Sequence, residues 1–193
     1  MRLAIFGGTF DPIHNAHLAI AGGAADALAL DRVLFVPAAR PPHKAGVTCA
    51  GYADRVRMAE LACEGDRRFE VSRLEQDTVR SYSIDTIEKV RALLAPGDEL
   101  FFIIGADAFA EIRTWLRWRD VARAVTFIVV SRPGHDYQVP PGAAAVRLDT
   151  LELPISSSDI RRALASGERP NAIPAGVLVH ILQHGLYGTR VPA

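Results

Sequence analysis

The sequence has few cysteines, no surplus of charge of either sign and no long hydrophobic run. Only Cys49 and Cys63 occur, without the spacing of a zinc site, which predicts free thiols in a reducing compartment. Lys plus Arg and Asp plus Glu both count 22, so the basic surplus of a dedicated nucleic-acid binder is missing. No run approaches the ~20 apolar residues that cross a bilayer, and no charged-then-apolar leader precedes the first strand. These absences predict a cytoplasmic protein that binds neither nucleic acid nor a membrane.

Two common nucleotide-binding signatures are also missing. The sequence has no Gly-Lys-Ser/Thr of a Walker A loop and no Gly-x-Gly-x-x-Gly dinucleotide fingerprint. The composition, 49% hydrophobic and 23% charged in 193 residues, is that of a globular chain rather than a disordered one. With no repeat and no long linker, residues 1–193 are predicted to form a single domain.

Strand-like and helix-like stretches alternate along the chain, which predicts crossover units and therefore an α/β fold with a parallel sheet. Apolar runs predict strands at 2–6, 32–36, 69–74, 100–104, 125–130 and 145–149. Helical spacing predicts helices at 15–30, 51–63, 84–94, 157–166 and 175–185. Ser83 is predicted to cap the third helix. Gly22 and Gly23 weaken the first helix, and close packing on the sheet is one reason to have them there.

The segment from Gly7 to His17, Gly-Gly-Thr-Phe-Asp-Pro-Ile-His-Asn-Ala-His, follows the first predicted strand. Gly7 and Gly8 let a phosphate approach the backbone amides. A helix that opens near His14 brings His14 and His17 onto one face, where imidazoles and free helix amides can bind phosphoryl oxygens. A Gly-Gly turn alone is weak evidence, but the combination predicts a site for a nucleotide triphosphate.

A second candidate phosphate site opens the helix near residue 157. Ser156 and Ser157 can cap that helix and also hold phosphate. Arg161, one turn further, can bring a forked guanidinium to the same phosphates. An ordinary capped surface helix explains these residues equally well, so this segment alone does not decide.

Further candidate residues follow other predicted strands. Gly105 lets a ligand lie against the backbone, and Asp107 can either accept from ribose hydroxyls or cap the next helix. Trp115 can stack on a heteroaromatic ring or simply pack in the core. Arg40 and Lys44 can bind a second phosphate, although isolated basic side chains are more often simply solvated.

His180 and His184 lie four residues apart on the last predicted helix, a spacing that can bind a metal. No further histidine or cysteine accompanies them, and no glutamate follows His180. We therefore interpret the pair as structural and predict no metal site formed by the protein itself.

Taken together, these segments resemble the bacterial nicotinate-nucleotide adenylyltransferases. The resemblance covers nearly the whole chain in order, and outside the first motif its segments lie at 41–44, 81–86, 104–107, 114–115, 131–134 and 155–158. It implies a Rossmann-like three-layer α/β/α fold with a mostly parallel central sheet, and helices from about 156 that complete the ATP site. It also implies direct in-line transfer of AMP from ATP to nicotinate mononucleotide, with release of pyrophosphate.

The resemblance assigns roles to residues by their position in the matching motifs. His14, His17 and Arg161 would be catalytic, and Lys44, Ser83, Asp107 and Trp115 would bind the mononucleotide. The residues implied to bind ATP are Gly7, Gly8, Thr9, Phe10, Gly105, Arg132, Ile155, Ser156 and Ser157. Mg²⁺ would accompany ATP without a dedicated protein cage, and homo-oligomerisation stays open.

The chain departs from the family pattern at Ala16, where glycine is usual. Alanine fits that position if its backbone is helical, and the added methyl group bears on ATP affinity more than on activity. A sister enzyme with nicotinamide mononucleotide or phosphopantetheine as acceptor remains an alternative, although Thr114-Trp115 and Ser81-Tyr82-Ser83 disfavour phosphopantetheine. A nucleotide-binding sensor without catalysis is the alternative from another class, and His14, His17 and Arg161 argue against it.

Overall fold

The central sheet of the protein is parallel throughout. The computed structural model describes residues 1–40, 48–131, 136–149 and 155–190. Six strands pair in the order β3-β2-β1-β4-β5-β6, and every neighbouring pair is parallel. The strands are β1 (Arg2–Gly8), β2 (Arg32–Pro37), β3 (Phe69–Val71), β4 (Glu99–Gly105), β5 (Thr126–Ser131) and β6 (Ala144–Asp149).

Helices cover both faces of the sheet. In the described chain they are α1 (Asn15–Ala27), α2 (Tyr52–Cys63), α3 (Ser83–Arg91), α4 (Ala106–Ala110), α5 (Trp118–Ala124), α6 (Ser157–Ala165) and α7 (Ala175–Gln183). Two short 3₁₀ turns are Ile112–Thr114 and Leu186–Gly188. No helix among these is long and apolar enough to cross a membrane.

Two hydrophobic cores lie on opposite faces of the sheet, because successive side chains of a strand point to opposite sides. Ala4 and Phe6 of β1 join the core beneath α1, α2, α6 and α7. Leu3 and Ile5 join the core beneath α3, α4 and α5. This is the predicted three-layer α/β/α arrangement, with a sheet that is wholly rather than mostly parallel.

The structure corrects three local predictions. Ser83 is the first helical residue of α3, and Tyr82 occupies the N-cap without a side-chain hydrogen bond. β3 ends at Val71 rather than at residue 74. Close packing does not explain the glycines of α1, since a Cβ at Gly22 would meet Phe69 at 4.0 Å and one at Gly23 would meet nothing within 4 Å.

The order of the strands places a crevice between β1 and β4. The chain winds outward from β1 through β2 to β3, and then from β4 through β5 to β6. Ligands of such sheets bind beyond the carboxyl ends of the strands where the winding direction reverses. Gly8 ends β1 and Gly105 ends β4, so two of the predicted motifs meet at this point.

Candidate active site

The loop after β1 turns tightly against its own aromatic side chain. Phe10 has a positive φ of 49°, and its ring packs at 5.7 Å from the rings of both Phe6 and Phe35. A Cβ at Gly8 would lie 2.8 Å from the Phe10 ring, so this turn requires glycine. Because Phe10 is only 2% exposed, its ring supports the loop from the interior of the protein and is not available to contact a ligand.

His14 and His17 meet at the start of α1, as the sequence predicted. His14 is the N-cap, and the two imidazole rings stack with centroids 3.7 Å apart. The backbone N–H of His14 donates to Nδ1 of His17 at 3.2 Å. Nδ1 of His17 is therefore an acceptor, and in the neutral ring the proton is on Nε2. This tautomer leaves His17 with an N–H donor for a substrate oxygen.

Burial keeps both imidazoles of the pair neutral. Burial lowers the pKa of His14 to about 4. It also lowers the pKa of His17 to about 3, with a smaller contribution from the neighbouring His14. Nδ1 of His14 is buried and has no hydrogen-bond partner among the described residues. The site thus holds polar groups that a bound ligand can satisfy.

Asp11 holds the loop from beneath. Its carboxylate, 4% exposed, accepts from the backbone N–H groups of Cys49 and Ala50 at 2.7 and 3.1 Å. The hydroxyl of Tyr187 donates to the same carboxylate at 2.7 Å. Burial, followed by the contact with Asp11, raises the pKa of Tyr187 far above its usual range, so Tyr187 stays a donor.

A buried arginine joins the loops that follow β1 and β2. Arg55 on α2 is 1% exposed, and its Nη1 donates to the carbonyls of Thr9 and Ala38 at 2.6 and 2.8 Å. Its Nε donates to the carbonyl of Ala50 at 3.3 Å. Sequence analysis missed Arg55, because its neighbours on α2 show only an ordinary amphipathic pattern.

The start of α6 docks onto the same loop. Ser157 donates from Oγ to the Pro12 carbonyl at 3.0 Å, and Arg161 donates from Nη1 to the Asp11 carbonyl at 2.7 Å. Ser156 caps the helix by accepting from the Asp159 N–H at 3.1 Å. The two segments that were predicted to bind phosphate lie some 150 residues apart in the sequence and are in contact here. Ile155 directly precedes Ser156 in the second of them.

A cleft of about 220 Å³ opens beside this loop, at the ends of β1, β2 and β4. Among the predicted residues, Gly7, Gly8, Gly105, Ser83 and Trp115 line it. This volume lies below the ~300 Å³ at which pockets for drug-sized ligands begin, so the cleft suits a small ligand or one part of a larger one. Asp107 is exposed on α4 next to the cleft without lining it, and Gly105 rather than Asp107 is the N-cap of that helix.

Glu75 and Ser81 also line the cleft, and sequence analysis did not identify either of them as a site residue. The Glu75 carboxylate, 6% exposed, accepts from Thr86 Oγ1 at 2.7 Å and from the Ala39 N–H at 3.3 Å. Ser81 Oγ accepts from the Arg40 N–H at 2.9 Å. Both residues thereby tie the loop after β2 to the segment before α3.

Lys44 and Arg132 lie outside the described residues, so their predicted roles remain predictions. The predicted free thiols are confirmed, with Cys49 exposed and Cys63 buried.

The histidine pair on α7 has an acidic residue beside it. Nε2 of His180 lies 3.1 Å from Oδ1 of Asp54. Asp54 was not considered in the sequence, since it is distant from both histidines along the chain.

The parallel sheet, the glycine turn and the histidine pair at the crevice define a nucleotidyltransferase. Residues 5–163 match the cytidylyltransferase-like family, which covers most of the chain. A solved structure of Plasmodium falciparum nicotinic acid mononucleotide adenylyltransferase complexed with NaAD superposes with a TM-score of 0.80 over 99% of both chains. At 18% identity this likeness concerns the fold alone.

Relatives with higher sequence identity indicate the family within this class. A protein of Solibacter usitatus named "Probable nicotinate-nucleotide adenylyltransferase" is 70% identical over 97% of this chain and 100% of its own length. A protein of the same name from Thermus thermophilus is 47% identical, with the same coverage. The chain belongs to the nicotinate-nucleotide adenylyltransferase family, as the sequence motifs predicted.

Proposed function

We propose that this enzyme transfers AMP from ATP to nicotinate mononucleotide, giving nicotinate adenine dinucleotide and pyrophosphate in NAD biosynthesis. The observation that carries the proposal is the stacked pair of His14 and His17 at the crevice, with Arg161 held to the same loop. The names of the relatives support the choice of acceptor. The Plasmodium protein, whose structure contains NaAD, supports a dinucleotide product.

In this mechanism the mononucleotide phosphate attacks the α-phosphorus of ATP in line, without a covalent intermediate. Such a reaction needs positioning and charge compensation rather than a protein nucleophile. Nε2–H of His17 donates to a phosphoryl oxygen, and the Arg161 guanidinium compensates the charge that develops on the triphosphate. The turn at Gly7, Gly8 and Thr9, together with Ser157, binds the remaining ATP oxygens.

The cleft accepts the mononucleotide in our proposal. Trp115, whose ring meets Phe102 edge to face at 6.0 Å, stacks on the pyridine ring. Ser83 meets the nicotinate carboxylate, and Asp107 meets the ribose. Lys44 binds the mononucleotide phosphate, and Arg132 contributes to ATP binding.

Mg²⁺ enters this proposal together with ATP. Mg²⁺ prefers a few carboxylates together with substrate phosphates. The Asp11 carboxylate beneath the loop already accepts three hydrogen bonds, so it is not a metal ligand. The N–H donors of the loop suit phosphate oxygens rather than a cation. An ion at this site would therefore be held by the phosphates of ATP and by water, and it would neutralise charge on the departing pyrophosphate.

We further propose a cytoplasmic protein that binds neither nucleic acid nor a membrane. Equal numbers of acidic and basic residues and two free thiols support this view.

The role of His17 is tested with His17→Ala. Because the substitution removes a donor to the transferring phosphoryl group, we expect turnover to fall ~100-fold or more, with an unchanged circular dichroism spectrum. Ala19→Ser, on the exposed side of the same helix, is the control and should retain full turnover. Near-normal turnover in His17→Ala would contradict the role given to this residue.

A further inference from the structure

Three potential metal ligands from two helices converge away from the nucleotide cleft. Asp54 lies in the first turn of α2, and His180 and His184 lie at the end of α7. One ligand atom of each residue lies within 4.8 Å of the other two. The two imidazole rings stand side by side, with centroids 4.1 Å apart and planes inclined by 31°. A spacing of four residues brings both rings onto one face of the helix.

The orientation of His184 is already that of a metal ligand. Its Nδ1 lies 2.9 Å from the carbonyl oxygen of His180. Because a carbonyl oxygen only accepts, Nδ1 carries the proton and Nε2 presents a lone pair. A backbone carbonyl that holds Nδ1–H in this way is the usual outer partner of a histidine that binds a metal through Nε2.

The distances are compatible with a tetrahedral ion. Bonds of ~2.0–2.2 Å to nitrogen and oxygen place two ligand atoms of one ion about 3.3 Å apart. Nε2 of His180 and Oδ1 of Asp54, at 3.1 Å, already have this separation. The ligand atom of His184 lies within 4.8 Å of the other two, which exceeds this separation by at most about 1.5 Å. Because His184 is exposed, a small movement of its side chain can close this distance.

A simple hydrogen bond between His180 and Asp54 explains only part of the arrangement. It accounts for their contact, but it does not account for the third potential ligand atom, that of His184, which lies within 4.8 Å of the other two. Two imidazoles and one carboxylate are ligands that suit zinc and neighbouring transition metals, whereas Mg²⁺ and Ca²⁺ prefer oxygen alone. The cluster therefore differs in chemistry from the ion that accompanies ATP.

We propose that Asp54, His180 and His184 bind one divalent transition-metal ion of the zinc type, with water in the fourth position. The ion joins the end of α7 to the first turn of α2. Arg55, next to Asp54, bonds to the carbonyls of Thr9 and Ala38, and Tyr187, just after His184, donates to Asp11. The ion thus fastens the two segments that support the nucleotide loop from beneath.

The test is titration of the chelator-treated full chain with Zn²⁺ by calorimetry and with Co²⁺ by visible absorption. His184→Gln is the main variant, because the exposed His184 can be replaced without disturbing the core, and Asp54→Asn is the second. Gln183→Ala, an exposed neighbour on the same helix, is the matched control. Binding is measured without nucleotide, so the result does not depend on catalysis.

We expect the wild type and Gln183→Ala to bind one Zn²⁺ with micromolar affinity and to gain thermal stability from it. His184→Gln and Asp54→Asn should each bind at least ~10-fold more weakly, with loss of the tetrahedral Co²⁺ spectrum. The proposal is overturned if His184→Gln binds as tightly as the wild type, which would place the ion elsewhere, for example at His14 and His17. It is also overturned if the wild type shows no saturable binding up to about 1 mM Zn²⁺.

Discussion

At the scale of the residue, the buried histidine pair makes the stability of the protein depend on pH. A histidine in the unfolded chain has a pKa near 6.5, whereas burial lowers the pKa of His14 to about 4. Between these values the unfolded chain binds more protons than the folded one. The contribution of His14 to stability is therefore present above about pH 6.5 and is lost as the pH falls towards 4.

His14→Asn should remove this part of the acid sensitivity. We expect the fall in the free energy of unfolding between pH 7.5 and 4.5 to be smaller in the variant by on the order of 2 kcal/mol. Urea unfolding at both pH values measures it. The variant also removes the contribution of His14 to the lowered pKa of His17, which reduces the acid sensitivity in the same direction. An equal pH dependence in both proteins would therefore contradict a buried neutral His14.

Arg55→Met tests the buried guanidinium that joins the loops. The variant leaves the carbonyls of Thr9, Ala38 and Ala50 without their donor. Unsatisfied buried groups cost ~1–3 kcal/mol each, so we expect a loss of about 3 kcal/mol in urea unfolding, together with lower activity. Arg57→Met is the control, because Arg57 is exposed and pairs with Glu60 alone among the residues that the structure describes. Its cost should stay below ~0.5 kcal/mol. Similar losses in both variants would contradict the account.

The sequence predicted those residues of the candidate site that stand out in a local pattern. His14 and His17 were predictable because their spacing by three residues brings them onto one face of a helix. Ala16 lies in α1 without a positive φ, so alanine fits there, as the condition stated from the sequence requires. Asp11 and Arg55 were not predicted as site residues because their hydrogen-bond partners lie far away along the chain. The spacing of residues in the sequence carries no information on such contacts.

At the scale of the element, the periodicity of apolar residues predicted nearly every strand and helix, whereas the helix ends were less predictable. Ser83 was the better residue for an N-cap, yet the chain places Tyr82 there. The segment before α3 is fixed by contacts with the loop after β2, such as the bond from the Arg40 N–H to Ser81 Oγ. Tertiary contacts of this kind override local capping preference.

Gly23→Ala should stabilise α1. A Cβ at this position meets nothing within 4 Å, and alanine in a helix interior is favoured over glycine by ~1 kcal/mol. We expect the melting temperature to rise by about 2–4 °C in calorimetry. Gly97→Ala is the matched control, since Gly97 also has open space but a φ of +94°, and its melting temperature should fall. An unchanged or lower value in Gly23→Ala would contradict this view of the helix.

At the scale of the whole molecule, the strand order decides where the chemistry lies. The alternation of strands and helices predicted a parallel sheet, and the resemblance implied the Rossmann-like layers. The reversal of winding between β1 and β4 then explains why motifs from distant parts of the sequence meet at one crevice. The bonds from α6 to the loop after β1 add the start of that helix to the same crevice.

The acceptor assay tests the central claim most directly. Purified protein is incubated with ATP and Mg²⁺ and with nicotinate mononucleotide, nicotinamide mononucleotide or phosphopantetheine, and pyrophosphate release is measured while the products are separated by chromatography. The account predicts pyrophosphate release and formation of nicotinate adenine dinucleotide with nicotinate mononucleotide, and no reaction with phosphopantetheine. Absence of pyrophosphate release with every acceptor would contradict it.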